Sequence, residues 1–150
     1  MKITKIAFAS IALACFSSLS ASAKNDAKTA YIFGFASSFN DSTVYFTDVQ
    51  KVDSAYFTRK SKFLVSRENY SYQLRDYLEQ QGAGKRTCVV MFDFDQKKAE
   101  KKWNKLYARY IQKPKAKKAK NGQQTNDAPS PYQVKTINPT DFHFSSVQPN

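Results

Sequence analysis

The sequence has few of the residues that build metal centres or nucleophile–histidine catalysis. Its 150 residues include one histidine, two cysteines and one tryptophan. Metal sites based on His or Cys need several such ligands, and a nucleophile–His pair depends on a single candidate base, His143. Only scattered carboxylates remain for a hydrolase. The composition therefore predicts a non-enzymatic protein with no cofactor and no metal.

A hydrophobic run long enough to span a bilayer is also missing from the start of the chain. Residues 6–16 form an apolar stretch of eleven residues, whereas a spanning helix needs about 20. Two lysines precede this stretch, and the small residues Ala21-Ser22-Ala23 follow it. Residues 1–23 are therefore predicted to be a signal peptide for export to the periplasm or beyond. The alternative is a lipoprotein, because Leu13-Ala14-Cys15 resembles a lipidation site that would tether the chain through Cys15.

A disulfide framework is excluded once this segment is removed. Residues 24–150 keep Cys88 as their only cysteine, so no internal disulfide can form. The chain as a whole is 41% apolar, which is enough for a core. We expect 24–150 to form a single domain that depends on packing for its stability.

Acidic residues are scarce in one part of the chain. Residues 24–150 contain 22 bases and 12 acids, a net charge of +10. The segment 97–120 holds eleven of those bases and one acid, Glu100, and the remainder is neutral. Summed charge of this kind attracts phosphates and carboxylates. The candidate anion-binding residues are Lys97, Lys98, Lys101, Lys102, Lys105, Arg109, Lys113, Lys115, Lys117, Lys118 and Lys120.

Export limits the anions that the basic segment can contact. The predicted partner is an anionic polymer of the cell envelope or a lipid headgroup, and base-specific reading of nucleic acid is not expected. Two alternatives remain open. The basic segment is a solvated surface without a ligand, or it serves solubility in a periplasmic adaptor. Such an adaptor would bind a protein partner through the edge of a hairpin at 30–49.

Hydrophobic periodicity predicts six elements in the order β-β-α-β-α-β. The strands are at 30–39, 43–49, 86–92 and 132–137, and the helices at 67–81 and 96–112. The predicted class is α+β, a ferredoxin-like variant with a mixed four-stranded sheet and two helices on one face. The third and fourth strands should run parallel. Residues 24–29 are expected to be frayed, 51–65 a loop, and 113–130 a basic flexible insertion.

The second helix is amphipathic. Its apolar residues recur at helical spacing, whereas its lysines and arginine occupy the other side. The apolar stripe consists of Ala99, Trp103, Leu106, Tyr107, Tyr110 and Ile111. The stripe is wide enough to lie on a sheet.

Several single residues have both a chemical and a structural interpretation. Asp93 and Asp95 follow a strand and supply two oxygen ligands, which is too few for Ca²⁺, so Asp95 is predicted to cap the next helix. Cys88 is predicted to be an inert core thiol, and His143 to have no catalytic role. Tyr31, Phe33 and Phe35 alternate along one strand face, which is predicted to be buried rather than exposed for stacking. Ser42 and Ser54 lie in triplets that resemble acceptor signals for O-linked glycans.

Three stretches carry a resemblance to known proteins. YIFGFASSFNDSTVYFTDVQ, FLVSRENYSYQLRDYL and RTCVVMF followed by a lysine-rich helix resemble a family of small exported bacterial proteins of unknown function. The resemblance covers most of 30–111 and implies no activity or ligand. The strand–helix–strand order of 86–137 is also similar to half of a SPOR-type peptidoglycan-binding domain, without a shared motif.

Overall fold

The computed structural model describes residues 25–112 and 130–149. They form a mixed β-sheet with two helices, which confirms the α+β class. The elements are β1 (Asn25–Ser37), β2 (Thr43–Thr47), β3 (Gln50–Thr58), α1 (Arg67–Gln80), β4 (Thr87–Asp93), α2 (Gln96–Ile111) and β5 (Gln133–Ile137). The predicted signal peptide and most of the predicted insertion lie outside the described residues.

Strand β1 lies at the centre of the sheet. It pairs with β4 over Tyr31–Ser37, and the same residues also pair with β3 at Tyr31–Ile32 and with β2 at Phe35–Ala36. Because a strand has only two edges, β2 and β3 must follow one another along the edge opposite β4. Strand β5 adds to β2 in parallel. The five strands therefore occupy four positions, in the order β4, β1, β2 with β3, and β5.

Strand β3 corrects the prediction of a loop over 51–65. Its inward side chains are Gln50, Val52, Ala55 and Phe57, so the alternation shifts by one residue between Val52 and Ala55. Ser54 has a left-handed φ of 58°, and the register with β1 shifts between Lys28 and Ala30. Such an extra residue is a β-bulge, which breaks the period of two. The same pairing extends β1 back to Asn25, so the segment expected to be frayed is part of a strand.

The two helices pack on opposite faces of the sheet, which differs from the predicted single face. Gly34 faces α1, because a Cβ placed there would lie 2.6 Å from Leu74 Cδ2. The ring of the next residue, Phe35, lies 5.0 Å from that of Tyr110 in α2. Successive side chains of a strand point to opposite faces. The predicted aromatic face of β1 is therefore the one that α2 covers, and Phe33 is fully buried there.

The face with α1 carries the main core, and the C-terminal segment completes it. Phe142 and Phe144 are buried beside Leu74. Gln50, itself buried, donates to the Phe142 carbonyl at 2.9 Å and accepts from the Phe144 N–H at 2.8 Å. Tyr70 accepts from the Val147 N–H at 3.2 Å. These hydrogen bonds hold the segment from Phe142 to Val147 against β3 and α1 and give partners to three of its backbone groups.

Strands β4 and β5 run in the same direction, as predicted, but they are not neighbours. Strand β4 is antiparallel to β1, as is β2, and β5 is parallel to β2. The connection that contains α2 therefore crosses β1 and β2 on its way to the far edge. This path places α2 across the middle of the sheet face.

Candidate anion-binding surface

Helix α2 begins at a capped position next to the end of β4. The Asp95 carboxylate accepts from the Lys98 N–H at 2.9 Å, which confirms the predicted N-cap. Asp93 accepts from the Asp95 N–H at 3.1 Å. Both carboxylates thus bind backbone donors. The described residues contain no group of three or more His, Cys, Asp or Glu side chains able to hold a metal ion.

An aromatic seam fixes the rotation of α2 on the sheet. The Phe46 ring lies 5.9, 5.3 and 5.8 Å from those of Trp103, Tyr107 and Tyr110. Trp103 stacks on Tyr107 and donates its indole N–H to the Thr47 carbonyl at 2.7 Å. Aromatic contacts and the indole hydrogen bond are directional. The helix therefore cannot turn its basic side towards the sheet.

The six described bases of the candidate site share the outward side of α2. All are exposed, and they are Lys97, Lys98, Lys101, Lys102, Lys105 and Arg109. Lys102 is the one that forms an ion pair within the described ranges, with Asp93 at 2.9 Å. The acid of this helix, Glu100, accepts from Gln96 at 2.8 Å and forms no ion pair with a lysine in the described part of the chain. Five of the six charges are thus left facing solvent.

Lys102 also shapes the protonation of its partner. Burial would raise the pKa of Asp93, but hydrogen bonds from Lys102 and the Asp95 N–H outweigh it and lower the pKa. Asp93 is therefore an anion at neutral pH. The Lys102–Asp93 pair adds no net charge to the surface.

Two open grooves border the basic side and meet at Phe94. One has a volume of about 440 Å³ and is lined by Met91, Phe92, Phe94, Arg67, Lys102 and Asp93. The other has a volume of about 480 Å³ and is lined by Tyr31, Phe94, Lys97, Gln96 and the acids Asp95 and Glu100. The start of α2 therefore carries its ammonium groups next to aromatic rings.

The edge of the sheet beside the first groove is covered by cationic side chains. Arg67 Nε donates to the Val90 carbonyl at 3.0 Å, and Lys102 Nζ donates to the Phe92 carbonyl, also at 3.0 Å. These contacts occupy acceptors that an added strand would use. The predicted hairpin edge at 30–49 is not free either. Over Tyr31–Ser37, β1 pairs with β4 on one edge and with β3 and β2 on the other, and β2 pairs with β1 and β5.

The remaining predicted bases cannot be placed against this surface. Lys113, Lys115, Lys117, Lys118 and Lys120 lie outside the described residues. The structure brings together the six bases of α2.

The other singled-out residues show no catalytic arrangement. Cys88 is a half-buried free thiol, and burial raises its pKa to about 11, so it is protonated at neutral pH. His143 is exposed and its Nδ1 lies 2.8 Å from the Phe144 carbonyl oxygen. Ser42 and Ser54 are both exposed. Both serines are therefore accessible, and their modification by O-linked glycans stays a prediction.

Sequence analysis missed a second basic surface in the β3–α1 connection. The residues Arg59-Lys60-Ser61-Lys62 are exposed, and the Phe63 side chain that follows is 52% exposed. The signal was a phenylalanine directly after a run of bases. Its exposure could not be predicted, because it depends on Leu64, and not Phe63, being the residue that enters the core.

No helix in 25–112 or 130–149 is both long and apolar enough to span a membrane. Searches against protein-family models, curated proteins and solved structures give no significant match.

Proposed function

We propose that this protein is an exported, non-enzymatic module that associates with anionic components of the cell envelope through the basic side of α2. The observation that carries the proposal is the row of unneutralised charge. Five of the six described bases have no carboxylate partner in the described part of the chain. The rest of 24–150, outside 97–120, has as many acids as bases.

The sign pattern of α2 argues against a surface that serves only hydration. A solvated helix gains stability when acids and bases alternate four residues apart. Helix α2 instead places bases four residues apart at 97 and 101, 98 and 102, 101 and 105, and 105 and 109. Such repulsion lowers stability, so a ligand of opposite charge explains the pattern better than solubility does.

The association should be electrostatic and sensitive to salt. The Debye length is about 10 Å at 0.1 M salt and about 3 Å at 1 M, so exposed charges are screened quickly. Each Lys near an anionic lipid surface contributes about 1 kcal/mol. Binding to lipopolysaccharide and to phosphatidylglycerol vesicles should therefore be clear at low salt and weak at high salt.

The test compares two triple variants of the exported protein that lose the same charge. K97Q/K101Q/K105Q removes from the basic side of α2 three lysines that form no ion pair among the described residues, and K51Q/K85N/K135Q removes three exposed lysines elsewhere, of which Lys51 pairs with Asp53. Three contributions of about 1 kcal/mol predict about 100-fold weaker binding for the first variant. The second should bind within a fewfold of the parent.

Three results would remove the proposal. They are equal weakening by both variants, binding by the parent that is the same at about 50 mM and about 300 mM salt, and no binding of either probe. Equal weakening would mean that net charge alone, and not the α2 surface, attracts the anion.

A further inference from the structure

The turn between β3 and α1 displays a phenylalanine on a hydrogen-bonded backbone. The Thr58 N–H donates to the Phe63 carbonyl, and the Lys62 N–H donates to the Thr58 carbonyl, both at 3.0 Å. The Phe63 N–H donates to the Thr58 hydroxyl at 3.1 Å. Phe57 forms a β-bridge with Leu64, whose side chain is fully buried. Phe63 is therefore turned outwards by the pairing of its neighbour.

This turn lies at the same end of the sheet as the start of α2. The Phe57 ring, one residue before Thr58, is 4.6 Å from the ring of Phe94. Phe94 is 39% exposed and precedes the first turn of α2, which carries Lys97 and Lys98. We call the residues Lys60, Lys62, Phe63, Phe94, Lys97 and Lys98 the basic tip.

The charge of the basic tip is largely unneutralised. Arg59 pairs with Asp26 at 2.8 Å. Lys60 and Lys62, by contrast, have no carboxylate within ion-pair distance among the described residues. Lys97 and Lys98 are likewise unpaired there. This end of the sheet thus carries four ammonium groups without an ion pair among the described residues, together with the exposed rings of Phe63 and Phe94.

The opposite end of the sheet provides a natural comparison. Phe39, in the turn between β1 and β2, is fully exposed. It is followed by Asn40 and by Asp41, which pairs with Arg86 at 2.7 Å. The two ends therefore differ in charge and not in the presence of an exposed phenylalanine.

We propose that the basic tip is the part of the protein that enters the surface of an anionic phospholipid bilayer, with Phe63 in the boundary between headgroups and acyl chains. The inference rests on the proposed function and names its ligand. Lysines bind lipid phosphates while an aromatic side chain enters the apolar boundary, and the two contributions add. A soluble polyanion would satisfy the lysines but would give the exposed ring no apolar environment. The exposed ring is what favours a bilayer.

The first test substitutes each exposed phenylalanine in the exported protein and measures cosedimentation with phosphatidylglycerol-containing vesicles. Phe63→Ser should weaken binding about tenfold, since burial of a phenyl side chain is lost. Phe39→Ser, the matched control, should bind like the parent. Both side chains are more than half exposed, so both variants should keep the parent's unfolding midpoint.

The second test locates the ring directly. Phe63→Trp and Phe39→Trp are mixed with vesicles of brominated lipid, and the parent supplies the signal of its own Trp103. Bromine quenches a tryptophan only when the ring reaches the lipid chains. The expected result is quenching at position 63 and none at 39.

The outcomes separate this inference from the proposed function. If Phe63→Ser binds vesicles as the parent does while K97Q/K101Q/K105Q binds weakly, the function stands and the basic tip is not inserted. Binding to lipopolysaccharide without binding to phospholipid vesicles has the same meaning. Quenching that is equal at 39 and 63 also overturns the inference. If the parent binds neither probe, both proposals fail.

Discussion

At the scale of single residues, Arg86 joins the start of β4 to the turn before β2. Its guanidinium donates to the Asp41 carboxylate and to the Thr43 carbonyl, each at 2.7 Å, and lies 4.8 Å from the centre of the Tyr45 ring. The side chain is 7% exposed. A buried guanidinium is tolerated only when it is paired and hydrogen-bonded. Arg86 therefore makes the stability of this end of the sheet depend on the charge of Asp41.

The stability that the Arg86–Asp41 pair contributes should change with pH in a predictable direction. The hydrogen bond from Arg86, followed by that from the Thr43 N–H, lowers the pKa of Asp41. An unfolded aspartate titrates near 3.9. A pKa that is lower in the folded state stabilises the protein above about pH 4, and this contribution is lost as the pH falls through the folded value.

Asp41→Asn should remove this contribution. Urea midpoints measured at about pH 7 should be lower for the variant than for the parent. The difference should shrink as the pH falls through the lowered pKa of Asp41 in the folded protein, because a protonated Asp41, like asparagine, carries no charge. Asp76→Asn, which removes an exposed pair with Arg75, should change little at either pH because exposed pairs contribute little. A gap between parent and Asp41→Asn that widens in acid would contradict the assignment.

At the scale of elements, the sequence predicts a helix or strand well only where its apolar residues keep a regular spacing. Helices α1 and α2 have unbroken apolar stripes, so their bounds were predicted to within one residue. Strand β3 was missed because the bulge at Ser54 separates Val52 from Ala55 and hides the alternation. The placement of α1 and α2 on opposite faces depends on strand order, which no local pattern encodes. The basic row on α2 needed only the helical period, whereas Phe63 needed the β-bridge of Leu64.

Gly34 shows how closely two elements approach. A Cβ there would lie 2.6 Å from Leu74 Cδ2 and 3.2 Å from Phe144 Cζ, and both of those side chains are buried. Gly34→Ala should therefore lower the free energy of unfolding by about 1–3 kcal/mol, the usual cost of overpacking. A Cβ at Gly84 would lie closest to the exposed Glu79 side chain, at 3.2 Å from its Cγ, and would meet the backbone only at an ordinary contact distance of 3.8 Å, so Gly84→Ala should cost much less.

A double variant checks that the clash is the cause. If Leu74 is the obstacle, Gly34→Ala should cost less in a Leu74→Ala background than in the parent, because contacting residues are not additive. Additive losses, measured by urea denaturation, would place the strain elsewhere.

At the scale of the whole molecule, the charge is divided between a balanced body and one basic helix side. The chain carries 24 bases and 12 acids, yet the residues of 24–150 outside 97–120 are neutral. The folded sheet, its two helices and the C-terminal segment need none of the five unpaired bases of α2 for a hydrogen bond within the described residues. Because like charges four residues apart repel, we expect the arrangement to lower folding stability, and selection tolerates such a cost where function requires it.

That cost can be measured. Each like-charged pair four residues apart on a helix destabilises it by about 0.2–0.5 kcal/mol at low salt, and K97Q/K101Q/K105Q removes three of the four pairs on α2. Glutamine and lysine have similar helix propensities. The free energy of unfolding of the variant should therefore be about 1 kcal/mol higher than that of the parent at low salt. The difference should disappear near 1 M salt, where the Debye length is about 3 Å. K51Q/K85N/K135Q should show no gain. If the variant binds vesicles weakly and is also more stable than the parent, the basic row of α2 is kept for its ligand at the expense of folding stability. If the variant is no more stable than the parent, the basic row is neutral for folding.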